Sequence, residues 1–427
     1  MSPAAAPARA PRIVICSAAV GCGHTRAGVA VKQALGMIAP SAEVHLLEAL
    51  DFAAPWFVRV YRDAYLRLIS GLPAVAGWMY HATDGRPGEG GSMAPVERRA
   101  LRGFVEHPLL ASADVILCTH FLCARVLSPL RRAGQLTAAL CVGVTDQHPH
   151  AVWLVPGADR FLLPSAEAQA TAIRAGINPT RTVATGIPID PRFASAADRA
   201  AARAALGLPE DRPVALLAGG GLGLGGVDAA LAAVLGSGRR VHAAVICGRN
   251  ADLHRKVSRL AEGRGAGIGG GGSPNGPTCS VVGFTNRMPE FMAAADVLVG
   301  KPGGLTTAEA AASGLPMVLL RPIPGQEDRN ARLLVEGGAA VLRPDPGQAG
   351  AVAAELAGDA PRLRAMRQAA RAFGRSDSAT LAARAVLGLL TPEMEDRALA
   401  GLGNGPEPVA QSPELDPGLA DLPCVRG

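Results

Sequence analysis

The stretch VALLAGGGLGLGG, residues 214–226, decides the fold class. Its apolar first part, Val214–Ala218, predicts a buried strand, because strands covered on both faces read as short continuous apolar runs. The glycines that follow predict a turn, and the residues after Gly226 predict a helix. A strand, a glycine turn and a helix in this order are typical of a parallel sheet flanked by helices.

The same alternation of strand and helix signals runs along the rest of the chain. In the N-terminal half, strands are predicted at Arg12–Ser17, Glu43–Leu47, Val115–Thr119, Ala138–Val144 and Arg160–Leu163. In the C-terminal half, they are predicted at Val214–Ala218, Val241–Cys247, Ser280–Phe284, Val297–Val299, Met317–Leu320 and Ala339–Leu342. A chain of 427 residues exceeds what one hydrophobic core usually serves. The sequence therefore predicts two α/β domains.

Changes in composition predict where these domains end. An N-terminal domain is expected over residues 12–193 and a C-terminal domain over residues 212–375, with an Ala/Arg-rich helix in the connection between them. A C-terminal helix is expected over residues 376–390. The Gly-rich insert Gly263–Pro277 is predicted to be a flexible loop, and the Pro/Gly-rich, acidic tail over residues 391–427 is predicted to be disordered.

Composition and charge narrow the class of protein. Hydrophobic residues make up 49% of the chain and charged residues 18%, as in globular proteins, while aromatic residues are 4%, fewer than a β-sandwich favours. The net charge of +6 comes from scattered arginines, so it favours an anionic partner without choosing among nucleic acid, phosphate and lipid head group. No secretory signal or membrane-spanning stretch is recognised. The eight cysteines form no C-x-x-C pair, so a cytosolic protein with reduced thiols is expected.

The glycine turn also has the spacing of a dinucleotide-binding site. Gly221, Gly223 and Gly226 fit G-x-G-x-x-G, but that fingerprint needs an acidic residue about 20 residues further on, after the next strand. The chain has Gly248-Arg249-Asn250 at that place, with no acidic residue, so NAD is excluded as a cofactor. Two interpretations remain: a turn whose backbone N–H groups bind phosphate at a helix N-terminus, or a purely structural turn.

Two further loops of the C-terminal half carry polar residues after predicted strands. Lys301-Pro302-Gly303-Gly304-Leu305-Thr306-Thr307 opens a helix whose N-terminus suits a diphosphate, and Glu309 can accept ribose hydroxyls. Pro324-Gly325-Gln326-Glu327-Asp328, with Asn330, can hold sugar hydroxyls, since such sheets bind ligands at the carboxyl ends of their strands. The alternatives are structural: Glu309 complements the helix dipole, and the second cluster caps a helix.

Histidines follow strands of the N-terminal half. His24 ends the phrase Gly21-Cys22-Gly23-His24 at the turn after the first strand, where an imidazole can take a proton near neutral pH. Asp146, His150 and Trp153 follow the fourth strand and are expected to form the opposite wall, and His120 follows the third. A lone histidine is more often structural, so the prediction rests on location. The chain has no D-x-D pair after a strand and no H-E-x-x-H motif, so metal dependence is not predicted.

An amphipathic helix is predicted to begin at Trp56 and to run to Leu72. Apolar residues such as Phe57 and Tyr61 fall on one face, and arginines fall on the other. All three tyrosines and two of the three tryptophans lie between Trp56 and Tyr80. Contact with a lipid interface and packing in a protein core both fit this pattern.

Several phrases of the chain resemble one family. They are Gly21-Cys22-Gly23-His24, Val144-Thr145-Asp146 with His150 and Trp153, the run from Thr185 to Phe193, Cys247-Gly248-Arg249-Asn250, and the stretch from Val282 through Glu309 to Asn330. In these phrases the chain resembles the monogalactosyldiacylglycerol synthases and the bacterial processive diacylglycerol glucosyltransferases of glycosyltransferase family 28. The resemblance implies the α/β fold called GT-B, two Rossmann-like domains facing across a cleft. It implies an inverting transfer of galactose or glucose from a UDP-sugar to diacylglycerol or a related lipid, with no metal or other cofactor.

Roles of residues follow from the resemblance and from the places of the residues after the strands. His24 matches the catalytic histidine of the family, and the places of Asp146, His150, Trp153 and His120 put them on the acceptor side. The donor would be bound by Gly221, Arg249, Phe284, Thr285, Gly303, Gly304, Thr306, Glu309, Gln326 and Glu327. An anionic membrane surface would be contacted by Trp56, Phe57 and Tyr61, which places the protein in the cytoplasm on the inner face of the cell membrane. No nucleic-acid partner is expected.

Three rival functions fit parts of the same pattern. A related family 28 transferase could act on a polyprenyl-linked or small hydrophobic acceptor. A UDP-sugar epimerase of the GT-B fold would share the donor site but would not need the aromatic amphipathic segment. A non-catalytic UDP-sugar-binding module would not need the histidine and the glutamate that this chain has at His24 and Glu309.

Overall fold

A computed structural model of the chain describes residues 9–19, 21–61, 73–84, 94–193, 198–220, 223, 225–263 and 276–400. These residues form two compact units. The first unit contains the described residues of Met1–Leu72, His81–Pro188 and Asp377–Gly427, and the second contains those of Pro73–Tyr80 and Ile189–Ser376. Apart from the segment Pro73–Tyr80, the chain passes to the second unit after Pro188, slightly before the boundary predicted from composition, and returns to the first unit at Asp377.

The first unit is built on a parallel sheet of six described strands. The strands are β1 (Arg12–Ser17), β2 (Glu43–Glu48), β3 (Val115–Cys118), β4 (Ala139–Gly143), β5 (Arg160–Leu163) and β6 (Thr182–Ala184). Their order in the sheet is β2-β1-β3-β4-β5-β6, and every neighbouring pair is parallel. The five predicted strands are confirmed to within about one residue at each end, while β6 was not predicted.

Helices cover both faces of this sheet. Up to Pro188 the described helices of the first unit are α1 (Cys22–Ile38), α2 (residues 55–61), α4 (Ala94–Ala100), α5 (Arg102–Val105), α6 (Pro108–Ala111), α7 (Phe121–Arg132) and α8 (Ala166–Arg174). Helix α3 (Pro73–Thr83) lies between α2 and α4 in sequence, and its residues up to Tyr80 belong to the second unit. On one face, Ile13 of β1 and Leu35 of α1 share a buried cluster with Ala382 and Val386 from the C-terminal end of the chain. The core of the first unit is therefore completed by residues that follow the second unit in sequence.

The C-terminal residues contradict part of the predicted disorder. Helices α17 (Ser378–Leu387) and α18 (Pro392–Leu399) both belong to the first unit. Ala398 of α18 is fully buried, so the prediction of a disordered tail from residue 391 is wrong over α18. The apolar contacts of Met394 and Leu399 with the same cluster offset the unfavourable composition of this stretch.

The second unit repeats the plan with another parallel sheet of six described strands. Its strands are β7 (Val214–Ala218), β8 (His242–Ile246), β9 (Thr278–Val282), β10 (Val297–Gly300), β11 (Met317–Leu319) and β12 (Ala340–Leu342), in the order β12-β11-β10-β7-β8-β9. Its helices are α9 (Arg199–Leu206), α10 (Val227–Gly236), α11 (Ala251–Gly263), α12 (Met288–Ala294), α13 (Gly304–Ala312), α14 (Gln326–Glu336), α15 (Pro346–Ala357) and α16 (Ala360–Phe373). All six predicted strands are confirmed to within about two residues, so both halves contain the expected parallel sheet flanked by helices.

A buried carboxylate joins three elements of the second unit. Asp296, at the start of β10, is 6% exposed and accepts a hydrogen bond from the Val214 backbone N–H at 2.8 Å. Its two oxygens also pair with Arg203 of α9 at 2.7 Å, with Arg367 of α16 at 2.7 Å and with Arg199 at 3.0 Å. The arginines thus tie α9 and α16 to the amino end of the sheet, which is the end opposite the loops that follow the strands.

Some predictions fall on residues outside the described ranges. These are Gly221, most of the Gly263–Pro277 insert, the part of the amphipathic helix from residue 62 to 72, and the tail from residue 401 onward. None of the helices formed by the described residues combines the length and the apolar character that crossing a membrane requires.

Candidate functional site

Three neighbouring strands of the first unit bring a cluster of rings together at their carboxyl ends. His24 lies in the first turn of α1, directly after β1, and its Nδ1 is 2.6 Å from Oγ1 of Thr145, which follows β4. The His120 ring, after β3, meets the His24 ring edge-on with centroids 4.5 Å apart. The Trp153 ring is 6.0 Å away. The structure therefore brings His24, His120 and Trp153 together as predicted.

Burial keeps the two histidines of this cluster neutral. Removal from water lowers the pKa of His24 to about 4, although a hydrogen bond with the Thr119 backbone opposes the shift. The pKa of His120 is lowered well below its usual value by burial and by the neighbouring His24. A neutral imidazole carries a proton on one nitrogen only, and the lone pair of the other nitrogen can accept another proton.

Asp146 and His150 have structural partners in this arrangement. The Asp146 carboxylate accepts the indole N–H of Trp153 at 3.0 Å, which fixes the ring in place. His150 Nδ1 accepts the Val152 N–H at 3.1 Å and so caps a short 3-10 helix, while its Nε2 lies 3.9 Å from Asp84. Asp146 therefore orients the aromatic wall beside His24, and His150 holds the loop that carries it.

A buried carboxyl group supports the turn before His24. Glu48, the last residue of β2, accepts the Ala19 N–H at 2.7 Å and lies 3.4 Å from the hydroxyl of Thr25. Burial raises the pKa of Glu48 to about 7, against its ordinary 4.5, so the group holds its proton well above the usual range. Glu48 was not among the predicted site residues, because its place beside α1 depends on the pairing of β1 with β2.

This pKa shift predicts a pH dependence of stability. Between pH 4.5 and about 7 the folded chain keeps the Glu48 proton while the unfolded chain releases it, so this group's contribution to stability falls as the pH rises through that window. The free energy of unfolding of the wild type, relative to Glu48→Gln, should therefore decline by up to about 1.4 kcal/mol per pH unit. Urea titrations across this range measure it. The exposed Glu43→Gln variant should show no such decline, and a flat difference for Glu48→Gln would contradict the assignment.

Polar groups in the second unit meet at the N-terminus of α13. Gly303 forms the N-cap, so the helix starts without a side chain over its first N–H groups. Glu327 lies beside this helix start, because a Cβ added at Gly303 would be 3.8 Å from Oε1 of Glu327. The other carboxylate oxygen of Glu327, Oε2, accepts the Ile323 N–H at 2.7 Å. The fully buried Asn330 donates to the Pro302 carbonyl at 2.9 Å. The structure therefore brings the two predicted donor loops together around one helix start.

Lys301 supplies a positive charge at this place. Its side chain packs against Gly225, in the loop after β7: a Cβ added at Gly225 would be 3.3 Å from the Cε of Lys301. Gly225 has a φ of 108°. The pKa of Glu327 is raised chiefly by burial, while the charge of Lys301 acts in the opposite direction. A lysine, a helix N-terminus and a glycine loop are the groups with which proteins bind a diphosphate.

The loops after β8 and β9 form a second group of predicted residues. The guanidinium of Arg249 lies over the Phe284 ring, 4.4 Å from its centroid, and the ring is exposed on the protein surface. Thr285 has a local role, because its hydroxyl accepts the Arg287 N–H at 3.0 Å just before α12. Gly223 fits closely against β8, since an added Cβ would lie 2.6 Å from the Cys247 carbonyl oxygen. Arg249 and Phe284 thus present a flat surface at this edge.

The remaining predicted residues lie on α13 and α14. Gly304 is buried in the first turn of α13, Thr306 is half-buried, and Glu309 is buried one turn further on. Gln326 is the first residue of α14 and is half-buried. The positions of these four residues are compatible with their predicted roles in donor binding, which remain predictions.

Side chains that complete both sites were absent from the predicted set. They are Thr145 and Glu48 in the first unit, and Lys301 in the second. Thr145 and Lys301 both stand inside the quoted phrases, so their location carried the signal. Their roles need the contacts between loops that are far apart in the sequence. Asn330 was predicted with the sugar-binding cluster, and in the structure it is fully buried and donates to the Pro302 carbonyl.

The predicted membrane contact is only partly compatible with the structure. Phe57 is 4% exposed and lies in the core of the first unit, and Tyr61 stacks on it with centroids 5.2 Å apart. The prediction that Phe57 contacts lipid is therefore wrong, because its face of α2 packs on the protein. Trp56 is 51% exposed, and Val60, one turn later, is 57% exposed.

No group of three or more His, Cys, Asp or Glu residues arranged to hold a metal ion occurs among the residues that the structure describes. The independence from metals remains a prediction.

Comparison with known families matches both halves of the chain. A sequence model described as monogalactosyldiacylglycerol (MGDG) synthase matches residues 24–189. A second model, described as glycosyltransferase family 28 C-terminal domain, matches residues 229–346. The first match begins at His24 and contains the ring cluster. The second contains the loops around α13.

Curated proteins are similar to part of the chain. A processive diacylglycerol beta-glucosyltransferase of Staphylococcus epidermidis is 26% identical over 242 residues, which are 56% of this chain and 59% of that protein. The enzyme with this name from Staphylococcus aureus strain Newman is 27% identical over 232 residues, 54% of this chain and 56% of that protein. The chain thus spans a little over half the length of these curated relatives.

A solved structure shows the fold. The glycotransferase of kitacinnamycin superposes with a TM-score of 0.52 at 20% identity, over 89% of this chain and 100% of that one. Together with the two parallel six-stranded sheets, this likeness confirms the GT-B fold class. Residues 24–189 are thus similar to the monogalactosyldiacylglycerol synthase family, and residues 229–346 are similar to the family 28 glycosyltransferase C-terminal domain.

Proposed function

We propose that the protein transfers a hexose, glucose or galactose, from a uridine diphosphate sugar to diacylglycerol or a related lipid. The observation that carries the proposal is the joining of an MGDG synthase domain to a family 28 C-terminal domain in one chain. The first unit would bind the lipid acceptor and supply the general base, and the second unit would bind the UDP-sugar donor.

His24 is the proposed general base. A neutral imidazole whose Nδ1 contacts Thr145 can accept the proton of the acceptor hydroxyl at Nε2. The hydroxyl oxygen then attacks the anomeric carbon on the face opposite UDP, the bond from that carbon to the diphosphate oxygen breaks, and UDP leaves with the electron pair. The product has the opposite anomeric configuration to the donor.

The start of α13 is the proposed diphosphate site. The backbone N–H groups after Gly303 and the ammonium group of Lys301 would stabilise the negative charge on the departing UDP. Glu309 would accept hydrogen bonds from the ribose hydroxyls, and Gln326 and Glu327 would hold the hexose. The uracil base of the nucleotide would lie near Phe284. Positive charge supplied by the chain itself replaces that of a metal ion in this proposal.

The donor sugar is left as two candidates. The family model that matches the first unit is named for a galactolipid synthase, whereas the curated relatives are named as glucosyltransferases. Release of UDP from each donor, with and without diacylglycerol in detergent micelles, tests the proposal. Release of UDP should depend on the presence of diacylglycerol. Conversion of the UDP-sugar without any acceptor would support an epimerase instead, and release only with a polyprenyl phosphate would support the other family 28 activity.

Transfer should survive removal of divalent metals. Activity in excess EDTA should equal activity in buffer, because Lys301 and the α13 N-terminus take the role of a cation at the diphosphate. Initial rates with and without EDTA measure this. A complete loss that magnesium or manganese restores would contradict it.

We also propose that the protein works on the anionic inner surface of the cell membrane. Trp56 and Val60 lie one turn apart on the exposed face of α2, with Arg59 beside them also exposed. A tryptophan with a neighbouring arginine suits the interface between head groups and acyl chains.

Loss of this exposed pair should weaken binding to membranes. Changing Trp56 and Val60 together to Ser should reduce sedimentation with anionic liposomes about tenfold or more, because burying each apolar side chain contributes roughly 1.5–3 kcal/mol. Met37→Ser removes another exposed apolar residue of the first unit and should bind as the wild type does. Equal binding by a folded Trp56/Val60 double variant would show that α2 does not contact lipid.

A further inference from the structure

The turn that precedes the proposed sugar-binding residues is covered by α3. Two residues of this helix, Gly77 and Tyr80, lie against Pro324 and Gly325, within the second unit. A Cβ at Gly77 would come within 2.9 Å of the Pro324 Cβ, so the helix backbone packs directly on the proline ring. Only a residue without a side chain fits at this position of α3.

Gly325 has a conformation that depends on the absence of a side chain. Its φ is 99° and its ψ is −89°, a region that residues with a Cβ rarely adopt. The Tyr80 ring fills the space where a Cβ would stand, since that atom would be 2.5 Å from the ring's Cγ. The guanidinium of Arg329 lies on the ring as well, 5.6 Å from its centroid. Tyr80 is thus held between the turn and α14.

The position of this turn sets the position of Gln326 and Glu327. The Gly325 N–H donates to Asp328 at 2.8 Å, which locks the turn to the first residues of α14. Glu327 in turn holds the Ile323 N–H at 2.7 Å and lies beside Gly303. A displacement at Gly325 would therefore move the side chains that follow it, away from the N-terminus of α13.

We infer that Tyr80 is a positioning residue that fixes the sugar-binding turn of the donor site. This inference rests on the proposed function, in which Gln326 and Glu327 hold the hexose. It assigns a role in the donor site to a residue that lies outside the family 28 domain in sequence. Tyr80 acts on the hexose through the turn and does not act on the uridine or the diphosphate, which are bound by other loops.

Calorimetry with UDP-hexose and with UDP tests the role of Tyr80. The hexose is glucose or galactose, whichever the wild type binds more tightly. Tyr80→Ala should weaken UDP-hexose binding about tenfold, because small displacements of contacting groups are costly, while UDP binding stays as in the wild type. Gly325→Ala should show the same selective loss, because its new methyl group meets the tyrosine ring. Tyr80→Phe keeps the ring and should bind both ligands as the wild type does.

Two controls separate the possible outcomes. Trp78→Ala changes a side chain of the same helix that is 70% exposed, and it should leave both affinities unchanged. Glu327→Gln should lose affinity for UDP-hexose only. Suppose that Glu327→Gln shows this loss of affinity. If Tyr80→Ala then keeps its affinity for UDP-hexose, or loses affinity for UDP-hexose and UDP equally, the inference about Tyr80 is wrong while the proposed function stands. If Glu327→Gln has no effect, the proposed sugar contact itself is wrong.

Discussion

His24→Ala should lower kcat by about 10²–10⁴-fold, the usual contribution of a general base. Transfer of the acceptor proton needs a neutral group at the end of β1, and His24 has that form because burial lowers its pKa to about 4. The variant should bind UDP as the wild type does, since the donor loops belong to the second unit. Steady-state kinetics with saturating donor, together with calorimetry for UDP, measure both quantities.

Two further variants separate the catalytic role of His24 from a structural one. Thr145→Val removes the oxygen 2.6 Å from His24 Nδ1 and should lower kcat by less than His24→Ala. His45→Ala changes a half-buried histidine of β2 and should retain wild-type kcat. A His24→Ala variant that melts early yet turns over normally per folded molecule would make His24 a structural residue of the turn.

Asp296→Ala should destabilise the protein by roughly 3–5 kcal/mol, the usual cost of breaking a buried ion pair from one side. The change leaves the guanidinium of Arg203 buried without its carboxylate and leaves the Val214 N–H without an acceptor. It also frees α9 and α16 from the amino end of β10. The free energy of unfolding, measured in urea, should fall by this amount.

A surface ion pair of the same unit provides the control for Asp296. Asp211 pairs with Arg212 and Arg240, but both Asp211 and Arg240 are exposed. Exposed pairs contribute little, so Asp211→Ala should change the free energy of unfolding far less than Asp296→Ala. Equal decreases in the free energy of unfolding of the two variants would show that the burial of Asp296 does not add to its contribution to stability.

The strands could be predicted from sequence because they are buried on both faces. Runs such as Val214–Ala218 are apolar throughout and are bounded by glycines, which mark their ends closely. The edge strand β6, Thr182–Ala184, was missed because it is only three residues long and offers no continuous apolar run. Helix α18 was missed because its contacts with the first unit outweigh a composition rich in proline and acidic residues.

An amphipathic pattern does not tell a protein core from a lipid surface. Phe57 and Tyr61 lie on the apolar face of α2 as predicted, and this face packs on the first unit. Trp56 and Val60 remain exposed on the same helix. Only the packing partner distinguishes these two environments, and the partner comes from residues far away in the sequence.

The site residues could be located by the rule that ligands bind after the carboxyl ends of parallel strands. This rule placed His24, His120 and Trp153 in one region, and the structure brings them together. It gave no information on contacts such as that of His24 with Thr145, which are 121 residues apart. The support of Tyr80 for Gly325 was also out of reach, because the tyrosine comes from the other half of the chain.

Transfer of labelled hexose to lipid is the most direct test of the proposed function. The pure protein is incubated with labelled UDP-glucose or UDP-galactose and diacylglycerol micelles, and the organic phase is examined for glycolipid. A labelled glycolipid whose anomeric configuration is opposite to that of the donor should be formed by the wild type and lost in His24→Ala. Label that never enters the lipid phase with either donor, from a protein shown to bind UDP, would contradict the proposed transfer of hexose to diacylglycerol.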